Sequence, residues 1–155
     1  MTPNWLGREW PQLYPIMPNS SRFQLKSWGD VIDRSAAGVY VVVALDPEAK
    51  ENTPRILPRL FEKDPSGTLY IGASGNLASR LGELCGSTRP DMNGNGHGLK
   101  KLRESPWCER FPASSLAICW WRTPDRESAH KLEADYAITK YAKLFGERPP
   151  FDGFK

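Results

Sequence analysis

"GTLYIGASGNLASRLGELCG", residues 67–86, changes its period partway along, and that change decides the fold. Thr68 to Ala73 is apolar or small almost without interruption, the pattern of a buried strand. From Asn76 the pattern becomes helical. Leu77, Leu81 and Leu84 recur at i, i+4 and i+7, with Asn76 as the expected N-cap and Gly86 as the expected stop. Arg80 interrupts this reading. It stands three residues after Leu77 and four before Leu84, at the edge of the leucine stripe and ten residues after Tyr70. Its ordinary role would be to cover apolar surface with its stem. A guanidinium fixed on a rigid helix is also a fork of donors suited to a phosphate.

Upstream, "GVYVVVAL" at 38–45 is almost entirely β-branched or aromatic and reads as another buried strand. Between the two strands runs "DPEAKENTPRILPRLFEKDPSG", polar and proline-containing, ending in the turn signal 64–67. The two strands are expected to pair as a hairpin across a connection much longer than usual. Downstream, "DMNGNGHG" reads as a flexible loop, "LKKLRES" as a short basic helix and "SSLAICWWRT" as a third strand. The longest helix follows, with Thr123 as expected N-cap, Pro124 at its first position, and Gly146 at its end before Pro149 and Pro150. Ala129, Leu132, Tyr136, Ala137, Tyr141 and Leu144 keep a 3.6 period along it. Residues 1–37 are punctuated by Pro3, Pro11, Pro15 and Pro18, which forbid one continuous helix. Trp5, Trp10, Leu13 and Tyr14 are expected to lay this arm on the core, and "SWGDVID" to hold a short helix. The order β, β, α, α, β, α predicts the α/β (α+β) class: a small sheet with helices packed against it.

The totals bound function only loosely. At 155 residues the chain is long enough for one sizeable core, and 39% hydrophobic residues with six tryptophans argue for a folded protein. Lys and Arg number 21 against 18 acidic residues, a formal charge of +3 that permits a polyanionic partner without demanding one. Cys85, Cys108 and Cys119 show no CxxC spacing and cannot all pair within the chain, which favours reduced thiols and a cytoplasmic setting over a metal site. No basic-then-apolar leader and no bilayer-length apolar run is present.

Glu133 lies one turn after Ala129 and one turn before Ala137, at the border of the face that should meet the sheet. Such a glutamate usually extends to solvent. A carboxylate held beside a core is also what a hard divalent cation requires. Tyr40 and Tyr70 fall within strands, where tyrosines commonly serve as core or cross-strand partners.

Gly38-Val39-Tyr40, Tyr70-Ile71-Gly72, Arg80 and Glu133 together resemble the GIY-YIG nuclease superfamily, whose name records the two tripeptides. The resemblance covers about residues 36–153. It implies a small three-stranded, mainly antiparallel sheet flanked by helices, with residues 1–35 an irregular N-terminal arm and 36–155 a nuclease domain carrying an insertion at about 46–66. It further implies that Tyr40 and Tyr70 line the cleft and position the attacking water, one of them as general base. Arg80 would hold the scissile phosphate, and Glu133 would be the sole protein ligand of Mg2+ or Mn2+. His97 resembles a histidine that some members carry after the arginine helix. The implied reaction is hydrolysis of DNA that leaves 5′-phosphate and 3′-hydroxyl ends. Arg89, Lys100, Lys101 and Arg103 offer a basic stripe for phosphate contacts without base reading.

The chain departs from the family pattern in three places. The 28 residues 41–68 replace a short hairpin connection, and Leu84 stands where some members carry a second histidine. Asp152, in "RPPFDG", is the nearest match to an asparagine the family often places after a proline. It would either accept the same hydrogen bonds or add a second carboxylate near the ion. Two other readings stand beside the endonuclease: a nucleic-acid-binding module on the same fold that has lost cleavage, and a protein-interaction domain using the insertion or the arm.

Overall fold

The computed structural model describes residues 4–7, 9–16, 28–49, 53–87 and 107–152. It is a mixed α+β fold around an antiparallel sheet. Strands β1 (Tyr14–Pro15), β2 (Ala37–Ala44), β5 (Thr68–Ser74) and β6 (Leu116–Thr123) form one sheet in the order β1-β6-β2-β5. The expected three strands are therefore joined by a fourth. Tyr14 and Pro15 of the arm pair with Ile118 and Ala117, and Ile16 N–H donates to the Leu116 carbonyl. β3 (Leu57–Pro58) and β4 (Lys63–Asp64) form a separate two-stranded ribbon within the insertion.

All eight residues of β2 are buried, because both faces of the sheet are covered. On one face Tyr40, Val42, Leu69 and Tyr70 meet Leu77, Leu81 and Leu84 of α1 (Leu77–Ser87). Each of those leucines is fully buried, worth roughly 2 kcal/mol of hydrophobic stabilisation apiece. Asn76 caps the helix as its sequence suggests, its Oδ1 accepting from Ser79 N–H at 3.0 Å. The helix runs through Gly86 and ends at Ser87, so Gly86 is not its stop. A short α2 (Trp107–Arg110) precedes β6.

The other face carries Val39, Val41, Val43 and Ile71 against Ala129, Tyr136, Ala137, Tyr141 and Phe145. These come from α3 (Arg126–Ala134) and its continuation through a π-helical stretch, Asp135–Ala142, to a last turn, Lys143–Phe145. The N-cap is Asp125, not Thr123: Asp125 Oδ1 accepts from Ser128 N–H at 2.7 Å, while Thr123 ends β6. Leu144, expected inside, is 39% exposed, and Phe145 is buried in its place. The wider π turns explain the exchange. They add residues per turn and so rotate everything beyond Ala142 relative to a 3.6 period. Gly146 ends the helix at φ 82°, a left-handed cap that favours glycine.

The insertion returns to the sheet. Arg55 N–H donates to Ala44 O and Asp46 N–H to Thr53 O, both at 2.8 Å. It is anchored by Asp64, wholly buried, which accepts from Tyr141 Oη at 2.7 Å and from Ser66 N–H and Oγ at 2.7 and 2.5 Å. Trp5 of the arm reaches the same cluster, its Nε1 donating to Ser66 Oγ at 3.1 Å. Trp5 also packs edge-to-face on Trp10, Tyr136 and Tyr141. No helix among the described residues is long and apolar enough to cross a membrane.

Candidate functional site

Tyr40 on β2 stands opposite Gly72 on β5, and Tyr70 opposite Val42, so the two tyrosines are diagonal neighbours on one face of the ladder. Their rings stack at 6.0 Å between centroids and 27° between planes. A Cβ on Gly72 would lie 2.2 Å from Tyr40 Oη and 2.3 Å from Cζ. The phenol lies on the bare backbone of the edge strand, and only glycine leaves it that space. Gly38 serves the helix instead. A Cβ there would lie 2.1 Å from Trp121 O and 2.8 Å from Leu77 Cδ1, so glycine lets the start of α1 close onto β2. Leu77 N–H donates to Ala36 O at 2.8 Å and fixes that approach.

Arg80, in the first turn of α1, is thereby brought close enough to Tyr40 for its guanidinium to favour the ionised phenol. Its side chain remains about one-third exposed, with Nε 3.5 Å from Glu83. Burial pushes the Tyr40 phenol well above the usual tyrosine range and Tyr70 pushes it further, while Arg80 pulls it down. The net direction is upward, so Tyr40 holds its proton in the unliganded protein. A tyrosine that takes a proton from water as general base needs the opposite shift, downward, from nearby positive charge. Arg80 supplies that charge, and desolvation exceeds it.

Beside this group a cleft of about 300 Å3 opens at the C-terminal end of β5, lined by Ala73–Asn76, Arg80, Arg126 and His130. Arg126 and His130 sit one turn apart on α3. Arg126 Nε donates to His130 Nε2 at 3.4 Å, and His130 Nδ1 lies 3.5 Å from Glu133 Oε2. This network assigns the neutral ring its proton on Nδ1. Glu133, 17% exposed at its side chain, thus borders the cleft through His130. The tyrosines come from the face covered by α1 and Glu133 from the helix on the opposite face. The two layers meet where β5, an edge strand, ends.

Sequence reasoning missed Arg126 and His130. The signal was present, since 126, 130 and 133 follow one stripe of the helix at i, i+4 and i+7. Asp152 is buried near the opposite end of β5, following Phe151, whose N–H donates to Leu69 O at 2.9 Å. Its Oδ2 lies 3.9 Å from Arg148. His97, Arg89, Lys100, Lys101 and Arg103 lie outside the described residues. Cys85 and Cys119 are buried and take part in no disulfide, and burial raises Cys119 far above the reactive range.

The donor set speaks to a metal. Among the described residues no three or more His, Cys, Asp and Glu side chains converge. A single half-buried carboxylate fits a hard, hydrated ion of the Mg2+ type, which keeps most of its waters and needs one or two protein oxygens. It does not fit a closed zinc site.

No protein-family model, curated protein or solved structure matches this chain.

Proposed function

We propose that this chain is a metal-dependent endonuclease of the GIY-YIG type, hydrolysing DNA phosphodiester bonds in the cleft at the end of β5. One observation carries the reading: Tyr40 and Tyr70, far apart in sequence, stack together, and Arg80 acts on the Tyr40 phenol from the wall of the cleft. Packing alone gives no reason to aim a guanidinium at a buried pair of phenols beside an open cleft.

Arg80 and Arg126, both lining the cleft, clamp the non-bridging oxygens of the scissile phosphate with charge-assisted hydrogen bonds. Tyr40, protonated, donates a hydrogen bond and orients the attacking water. The water's proton passes to Nε2 of His130, the ring nitrogen that carries none, or to the Tyr70 oxygen when that phenol is ionised. Glu133 would hold Mg2+ or Mn2+, which supplies electrostatic stabilisation of the leaving oxygen. A cytoplasmic location belongs to the same reading.

The test incubates the full chain with supercoiled, linear and single-stranded DNA, with Mg2+, with Mn2+ and with chelator. Arg80→Ala and Glu133→Ala should each slow nicking at least about 100-fold, the usual loss of a transition-state donor or metal ligand, with the circular dichroism spectrum unchanged. A second reading, a binding module that does not cleave, is favoured by the near-complete burial of Tyr40, 1% exposed. DNA binding without nicking under every metal condition would select it. Absence of binding at low salt would end both.

A further inference from the structure

A second groove, of about 580 Å3, lies at the other end of β5 between the insertion and the segment that follows the last helix. Its size is that of a ligand-binding groove. It is built firmly. Arg55 Nη1 donates to Arg110 O at 2.7 Å and stacks over Phe111 at 5.2 Å, while Arg59 Nη2 donates to Arg148 O. Leu60 N–H donates to Glu147 Oε1 and Phe61 N–H to Phe145 O. These bonds tie one wall to the other.

Its chemistry is lopsided in two ways. Four arginines, 55, 59, 110 and 148, line it against the single acid Glu147, which is already engaged by Arg59 at 3.4 Å. Beside them stand the largest exposed apolar side chains of the described residues: Ile56 at 62%, Leu60 at 70% and Phe61 at 67%. Exposed apolar groups gathered on one ribbon mark a surface that another molecule covers. Two of the three are aliphatic and present no stacking face to a base, whereas nucleic-acid surfaces are polar and basic. Arginine beside large apolar residues is the composition of a protein-binding hot spot.

We infer that this groove docks a segment of a protein partner in which acidic side chains are interleaved with large apolar ones. Carboxylates would meet Arg110 and Arg148 at the rim, and apolar side chains would cover Ile56 and the floor beside Phe111. The surface is separate from the β5 cleft, and the assignment stands whether or not that cleft cuts DNA.

The probe is a phage-displayed random dodecapeptide library selected on the immobilised full chain. Enriched sequences should carry two or more Asp or Glu residues interspersed with Leu, Ile, Phe or Trp. Synthetic versions should bind the double variant Arg110→Glu/Arg148→Glu at least tenfold more weakly in fluorescence anisotropy. Ile56→Ser, at an exposed position, should weaken binding at least threefold and serves if the double variant does not fold. No enrichment, a neutral or basic consensus, or binding indifferent to these variants overturns the inference. So does displacement of the peptide by a 12-nucleotide single strand or duplex whose own binding falls with the same substitutions, which would assign the groove to nucleic acid.

Discussion

Tyr141 at one end of β5 and Tyr40 at the other both sit buried against charge, yet they answer to different demands. Tyr141 donates to Asp64, and Asp64 accepts in addition from Ser66 and Thr68. The assembly is inside, paired, and holds the insertion to the last helix. Tyr40 stacks on Tyr70 and meets Arg80, whose side chain is still one-third exposed at a cleft. Burying a carboxylate among donors serves cohesion. Leaving a guanidinium half in water beside a phenol pair forgoes cohesion and suits a ligand.

Removing the Asp64 carboxylate should cost most. Asp64→Ala leaves the Tyr141 hydroxyl and the Ser66 N–H buried without an acceptor, a loss of about 3 kcal/mol in urea unfolding. Arg80→Ala in the same assay should cost under about 1 kcal/mol, because its side chain is one-third exposed and its ion-pair partner Glu83 is an exposed i,i+3 neighbour. Equal losses would break the contrast between the two ends.

Gly72→Ala comes next and touches both demands. Its Cβ would displace the Tyr40 ring, costing about 2 kcal/mol as overpacking does. Nicking should fall at least tenfold more than stability alone explains, read as single-turnover rate at a temperature where the variant stays folded. Unchanged rates would remove Tyr40 from the site.

The smallest effect is a slope. Burial holds the Asp64 carboxyl above its usual 3.8, although hydrogen bonds from Ser66, Tyr141 and Thr68 pull it down. A carboxyl raised by folding contributes stability that is fully present below 3.8 and is lost as pH rises through the folded value. The stability of the native chain minus that of Asp64→Asn, from urea titrations at successive pH values, should therefore decline from acid toward neutral pH. A difference that grows with pH would show that the hydrogen bonds outweigh desolvation.

The two ends also differed in how legible they were. The site end was written locally. Gly72 and Tyr70 share one tripeptide, Asn76 caps the helix that carries Arg80, and strand alternation puts Tyr40 and Tyr70 on one face. The Asp64 assembly was not, because Asp64 and Tyr141 are 77 residues apart and nothing near either announces the other. The last helix misled for a different reason. A 3.6 period carries Leu144 inward only if every turn is α, and π turns at 135–142 advance the face to Phe145. Thr123-Pro124 imitates a helix start whose N-cap, Asp125, stands two residues later. His130 and Arg126 were visible as spacing but lacked a motif to call attention to them.

The two residues of β1 matter beyond their length. Pro15 offers no amide hydrogen to a neighbour, so the border they form is a poor template for another strand. Before they dock, Ala117 and Ile118 of Leu116–Thr123, a strand that also carries two tryptophans, would present a bare border to any sister chain. The guard emerges from the ribosome about a hundred residues ahead of what it guards. Trimming it should therefore show first as self-association during refolding at high concentration.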